Sequence, residues 1–164
     1  MNLKFYLEKL YDSNNYKKFI KENPSAFLCS GFFSIDKVGK DNKQHFDFYV
    51  DKKIFSFQLE ENCKKVPIEI FDKKVFEKIN QDIDFDFDEV EEIIFNKLQE
   101  EGVKNKIEKI LLSLQNLKTK DFLIGTVFVS GLGIIKINID IGKMKVTDFE
   151  KKSFFDMVKL IKKK

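Results

Sequence analysis

Apolar and polar positions alternate along most of this chain, and the period of the alternation changes from segment to segment. Over residues 2–22 it is helical. Leu3, Leu7, Leu10 and Tyr11 form one stripe, and Tyr16, Phe19 and Ile20 form another. Ser13, followed by Asn14 and Asn15, predicts a kink or the cap of a second short helix. Asn23-Pro24 ends the segment, because a residue before proline is driven out of the α region. Period two then takes over. Residues 26–35 are a mixed apolar run, and residues 39–43 a polar turn. Phe46, Phe48 and Val50 alternate with Asp47 and Tyr49; Phe55, Phe57 and Leu59 alternate with Ser56 and Gln58. This pattern predicts an antiparallel hairpin with one buried face. Val66, Ile68 and Ile70 predict a fourth strand, placed at an edge because Pro67 has no N–H for a ladder.

Residues 72–79 suggest a short helix. Asp82, Asp84, Asp86 and Asp88 then interleave with Ile83, Phe85 and Phe87. Asp86-Phe87-Asp88-Glu89 has the capping-box form, with acids where the helix dipole favours them. Val90, Ile93, Ile94 and Leu98 mark the buried stripe of the helix that follows, and Gly102 its C-terminal cap. Residues 104–117 fit a helix through Ile107, Ile110, Leu111 and Leu114, or a strand through Ile110, Leu112 and Leu114. A strand over about residues 108–115 is preferred, because Gly102 has just ended a helix. Residues 123–129 read as a strand apolar on both faces, and Gly131-Leu132-Gly133 as a turn. Ile135, Ile137, Ile139 and Ile141 alternate with Lys136, Asn138 and Asp140. Gly142 leads into a strand over residues 144–149, and residues 153–161 predict a closing helix before a lysine tail.

The two halves echo each other. Phe55, Phe57, Leu59, Glu60, Asn62, Lys65 and Val66 align with Ile135, Ile137, Ile139, Asp140, Gly142, Lys145 and Val146. After two extra residues, Phe71-Asp72-Lys73-Lys74 and Phe76 align with Phe149-Glu150-Lys151-Lys152 and Phe154, so that each half reads as helix, then antiparallel strands, then a short helix beginning acid-Lys-Lys. The expected fold is therefore α+β: an antiparallel sheet from two similar halves, residues 1–79 and 80–164, with helices packed on one face of one compact unit.

A helix over residues 88–101, then strands, then Ile137-Asn-Ile-Asp140-Ile-Gly142-Lys-Met-Lys-Val146 resembles the PepSY module. That module is a small cystatin-like α+β unit whose last hairpin carries an Asp, a turn Gly and a Val. The likeness covers about residues 86–149, with a fainter copy before it, and extends to small archaeal proteins built from such modules. It implies a binding role, in PepSY proteins often the regulation of a peptidase.

Composition narrows the functions. The 164 residues carry a net charge of +3, with no Arg and no Trp, and every one of the 30 basic residues is Lys. So mild a charge, without the guanidinium fork that reads guanine edges and phosphates, argues against nucleic acid as a partner. No apolar run approaches the roughly 20 residues of a membrane span, and the first dozen residues lack the apolar stretch of a signal peptide. Cys29 and Cys63 then read as thiols of a reducing cytoplasm, with a single disulfide between them as the alternative.

Candidate chemistry is sparse. His45 stands alone with no partnered nucleophile, and reads as a solvated histidine at a strand start. Two Cys and one His make no zinc set, and the acidic run lacks the glycine of a calcium loop, so no metal and no cofactor is expected. Gly131-Leu-Gly133 lacks the third glycine of a dinucleotide site. An enzyme would have to work with carboxylates alone, Asp140 and Asp148 first. What stands out is Phe, at 19 residues. Phe32, Phe33, Tyr49, Phe122 and Phe128 are the candidates to line a sheet face that holds a ligand or a partner. The expected function is thus a non-enzymatic binding module. Its partner would be a protein, a peptide or a second copy of the chain; the alternative is a carrier of a small apolar ligand.

Overall fold

The computed structural model describes residues 1–70 and 76–153. Two short helices open the chain, α1 (Leu3–Tyr11) and α2 (Asn14–Glu22). Each has its own cap: Asn2 accepts the Phe5 N–H, and Ser13 accepts the Tyr16 N–H. A four-strand meander follows, β1 (Phe27–Asp36), β2 (Lys43–Val50), β3 (Lys53–Gln58) and β4 (Lys64–Ile68), with a 3-10 turn at Leu59–Glu61. Helix α3 (Phe87–Glu100) leads into a second meander, β5 (Ile107–Leu117), β6 (Lys120–Val129), β7 (Gly133–Asp140) and β8 (Lys145–Ser153). The two meanders join through their first strands. The result is one antiparallel sheet of eight strands in the order β4-β3-β2-β1-β5-β6-β7-β8.

The expected α+β architecture is overturned. The sheet dominates the molecule, and among the described residues the three α-helices are short covers on one of its faces. The physical reason lies at the C-terminal end. Residues 150–152, expected to open a helix, are instead bonded along β7, with Glu150 opposite Lys136 and Lys152 opposite Ile134. Ladder pairing across the sheet outweighs a local helical spacing there. The remainder of the closing helix expected over 153–161 lies outside the described residues. The same is true of residues 72–75 in the short helix expected over 72–79, and residues 76–79 are not helical.

Two-residue alternation assigns each side chain to a face, and cross-strand partners share one. The covered face carries Phe46, Phe48 and Phe57 in the first meander and Leu112, Leu123, Val127 and Ile137 in the second, all buried. From α2, Phe19 sets its ring edge-on against Phe48, Phe55 and Phe57, at 5.2–6.1 Å between centroids. Beside it, Phe33 packs against Phe46, Phe85 and Phe87. Much of the phenylalanine excess is therefore core.

The acidic run has a structural task. Asp86 caps α3 by accepting the Asp88 and Glu89 N–H groups, and Asp84 accepts the Lys4 N–H at the start of α1. Two backbone bonds, Leu3 N–H to Phe85 O and Phe87 N–H to Met1 O, tie the two helix starts together. Pro67 lies on β4, an edge strand of the sheet.

Candidate functional site

The face that the helices leave uncovered holds the site. Strand register places Ser30 and Phe32 of β1 on it, with His45, Asp47 and Tyr49 of β2. From the second meander it takes Ser113 and Gln115 of β5 and Phe122, Ile124 and Phe128 of β6. Across the junction of the meanders, Ser30 stands opposite Gln115, and Gln115 opposite Phe122. A groove of about 780 Å³ opens over this row. Cys29, Ser30, Ser113, Gln115 and Phe122 form its floor; Phe76 and Glu77 make one wall, and the tip of the β5–β6 hairpin, with Leu117, Lys118 and Lys120, makes the other. The wall at Phe76 is anchored twice. Its ring stacks on Tyr49 at 5.5 Å, and the Ile79 N–H donates to Leu28 O just beyond the floor.

The five aromatic candidates part company. Phe33 is buried to 1% exposure on the covered face, opposite its neighbour Phe32, so it cannot touch a ligand on the uncovered side. Adjacent residues of a strand point to opposite faces, and this candidate is corrected accordingly. Phe122 lines the groove, and Tyr49 reaches it through Phe76. Phe32 lies one pair along β1 from Ser30 and packs against the His45 ring. Phe128 sits at the far end of the face, opposite Ile134. In register it is the counterpart of Tyr49, which faces Ile54: each lies three positions beyond the equivalent pairs Phe46–Phe57 and Gly125–Ile137.

Polar groups on the same face are largely committed. His45 Nε2 shares a hydrogen bond with Glu60 Oε1, so the ring is partly buried and engaged, not solvated. Ser30 Oγ donates to Asp47 Oδ2 at 2.7 Å. The other oxygen of Asp47, Oδ1, is enclosed and has no hydrogen bond of good geometry, although Ser56 of β3 stands opposite. Burial holds the Asp47 carboxyl above its ordinary range; Ser30, Ser56 and His45 offset part of that rise. Gln115 Nε2 donates to Ser113 Oγ, so the Ser113 hydroxyl proton is left to point elsewhere. Asp140 is buried and accepts the Lys143 N–H, while Asp148 is exposed on β8, and no hydrogen bond joins the two. Cys29 and Cys63 are both buried, with no disulfide between them.

The polar floor and the lysine wall were missed in the sequence, although one signal was present. Ser113, Gln115 and Leu117 alternate with the buried Leu112 and Leu114, which marks them as the opposite face of one strand. Phe76 carried no such signal, because residues 72–79 read as a short helix, and residues 76–79 are not helical.

Among the described residues, no group of His, Cys, Asp or Glu is arranged to hold a metal ion, and no helix is long and apolar enough to cross a membrane. No protein-family model matches the sequence, and no curated protein does. A comparison of folds finds a chain from Clostridium difficile 630, solved as a "putative lipoprotein", with a TM-score of 0.57. The two are 13% identical over 85% of this chain and 91% of that one. At that identity the likeness is one of fold alone.

Proposed function

We propose that the protein is a non-enzymatic binding module of the cytoplasm, that its working surface is the uncovered face of the sheet, and that its ligand is a small apolar molecule seated beside Phe122. One observation carries the reading. The groove of about 780 Å³ opens where the two meanders meet, and falls in the size range, roughly 300–1,000 Å³, of pockets that enclose small ligands. Its lining combines Phe76, Leu117 and Phe122 with a few polar groups from β1 and β5, the mixture typical of such sites. The likeness of residues 86–149 to PepSY modules supports a binding role. Two buried cysteines without a bond between them fit a reducing compartment.

Titration with the neutral fluorophore N-phenyl-1-naphthylamine tests this. Saturable binding of one probe per chain is expected, and Phe122→Asp should weaken it at least about tenfold, the order expected when a charge replaces an apolar contact. The far-UV circular dichroism of the variant should match that of the parent, because Phe122 is not a core residue. Non-saturating probe uptake, or full binding by the variant, would overturn the reading. Dimerisation abolished by Phe128→Asp, without probe binding, would instead assign the face to a second copy of the chain.

A further inference from the structure

The groove is not uniform along its length. Phe122 and Lys120 lie two residues apart on β6 and so on the same face, opposite Gln115 and Leu117 of β5. Beyond Lys120 the two-residue hairpin turn brings Lys118 to the same wall. The lining therefore grades from aromatic at the centre of the sheet to cationic at the hairpin tip. Neither ammonium is engaged: among the described residues, Lys118 and Lys120 make no ion pair and no side-chain hydrogen bond. The nearest acid in sequence is already taken, since Asp121 accepts Asn80 Nδ2 at 2.7 Å and Asn116 Nδ2 at 2.8 Å. Among the described residues that line the groove, Glu77, on the facing wall, is the single acid, against two lysines.

We infer that the groove takes a single-chain amphiphile with an anionic head, a long-chain carboxylate. The chain would lie along Phe122, Leu117 and Phe76, and the carboxylate would stand at Lys120 and Lys118. This rests on the groove being a ligand site and adds the chemistry of its occupant. The apolar part supplies most of the affinity through buried surface. The lysines contribute selectivity, because exposed ion pairs are each worth little and are screened by salt.

Displacement of bound N-phenyl-1-naphthylamine by dodecanoate and dodecyltrimethylammonium below their micelle concentrations, and by dodecanol below its solubility limit, separates the possibilities. Dodecanoate should displace the probe at about fivefold lower concentration than the alcohol, the sum expected of two exposed ion pairs, and the cation should be the weakest. That preference should collapse in high salt and in the double variant Lys118→Gln, Lys120→Gln, each competitor being scored against that variant's own probe affinity. Equal displacement by all three, or a preference for the cation, would overturn the anionic head and leave the groove standing. No probe binding at all would remove the groove, and the head-group assignment with it.

Discussion

Asp47 shows how one residue can record the character of a whole surface. It lies mid-strand on the uncovered face, with one oxygen held by Ser30 and the other enclosed opposite Ser56 without a hydrogen bond of good geometry. Burial raises its folded-state pKa above the ordinary value of 3.8, so the ionised form costs the folded state free energy. That cost is full above the raised value and fades as the pH falls towards 3.8, where the unfolded chain also takes up the proton. Asp47→Asn should therefore stabilise the protein at neutral pH by on the order of 1 kcal/mol, the scale of one poorly satisfied buried polar group. The gain should vanish at acid pH. Denaturant unfolding at a series of pH values checks this; a loss at neutral pH, or a gain independent of pH, would refute it. Nothing in the sequence flags Asp47, because its alternation with Phe46 and Phe48 reads as an ordinary solvent-facing position. By contrast, Phe32 and Phe33 could be placed on opposite faces from alternation alone, and only the buried one was unknown until the register was.

At the scale of elements, what depends on neighbouring residues was readable and what depends on distant ones was not. The caps at Ser13 and Asp86 and the positive φ of Gly102 after α3 follow from local chemistry, and so does the edge position of the strand with Pro67. Strand β8 differs. Its last residues were expected to be helical, and β7 recruits them into the ladder. Gly125 shows how tightly such pairing is packed. It lies on the covered face of β6, between Leu112 of β5 and Ile137 of β7. A Cβ there would meet Ile137 Cγ2 at 2.9 Å and the Ile137 carbonyl oxygen at 3.3 Å. Gly125→Ala should thus destabilise the protein by about 1–3 kcal/mol through overpacking, despite the usual gain from replacing a glycine in a strand. Thermal melts of the variant check it, and an unchanged or higher midpoint would show that β6 and β7 can separate enough to admit the methyl.

The whole molecule is held at one seam. Strands β1 and β5 pair from Ser30–Gln115 to Asp36–Lys109, and through them two four-strand meanders become one sheet over one core. Phe33 sits on that seam, facing Leu112 across it and touching Phe85 ahead of α3 and Phe87 at its start. Phe33→Ala should cost about 3–5 kcal/mol, and both halves should lose their structure in one transition. Far-UV circular dichroism and tyrosine fluorescence should give coincident unfolding curves; separate midpoints would show the halves to be independent domains. By itself the sequence determined the periodic segments, their caps and breaks, the edge strand and the likeness between halves, because each depends on residues within a turn or a hairpin. Only the tertiary structure decided that β1 meets β5, that the sheet outweighs the helices, and which face stays bare. Those follow from pairing residues some 70–90 positions apart. The groove belongs to this second class: its floor joins β1 to β5 and β6, and one wall is a segment, residues 76–79, that is neither helix nor strand.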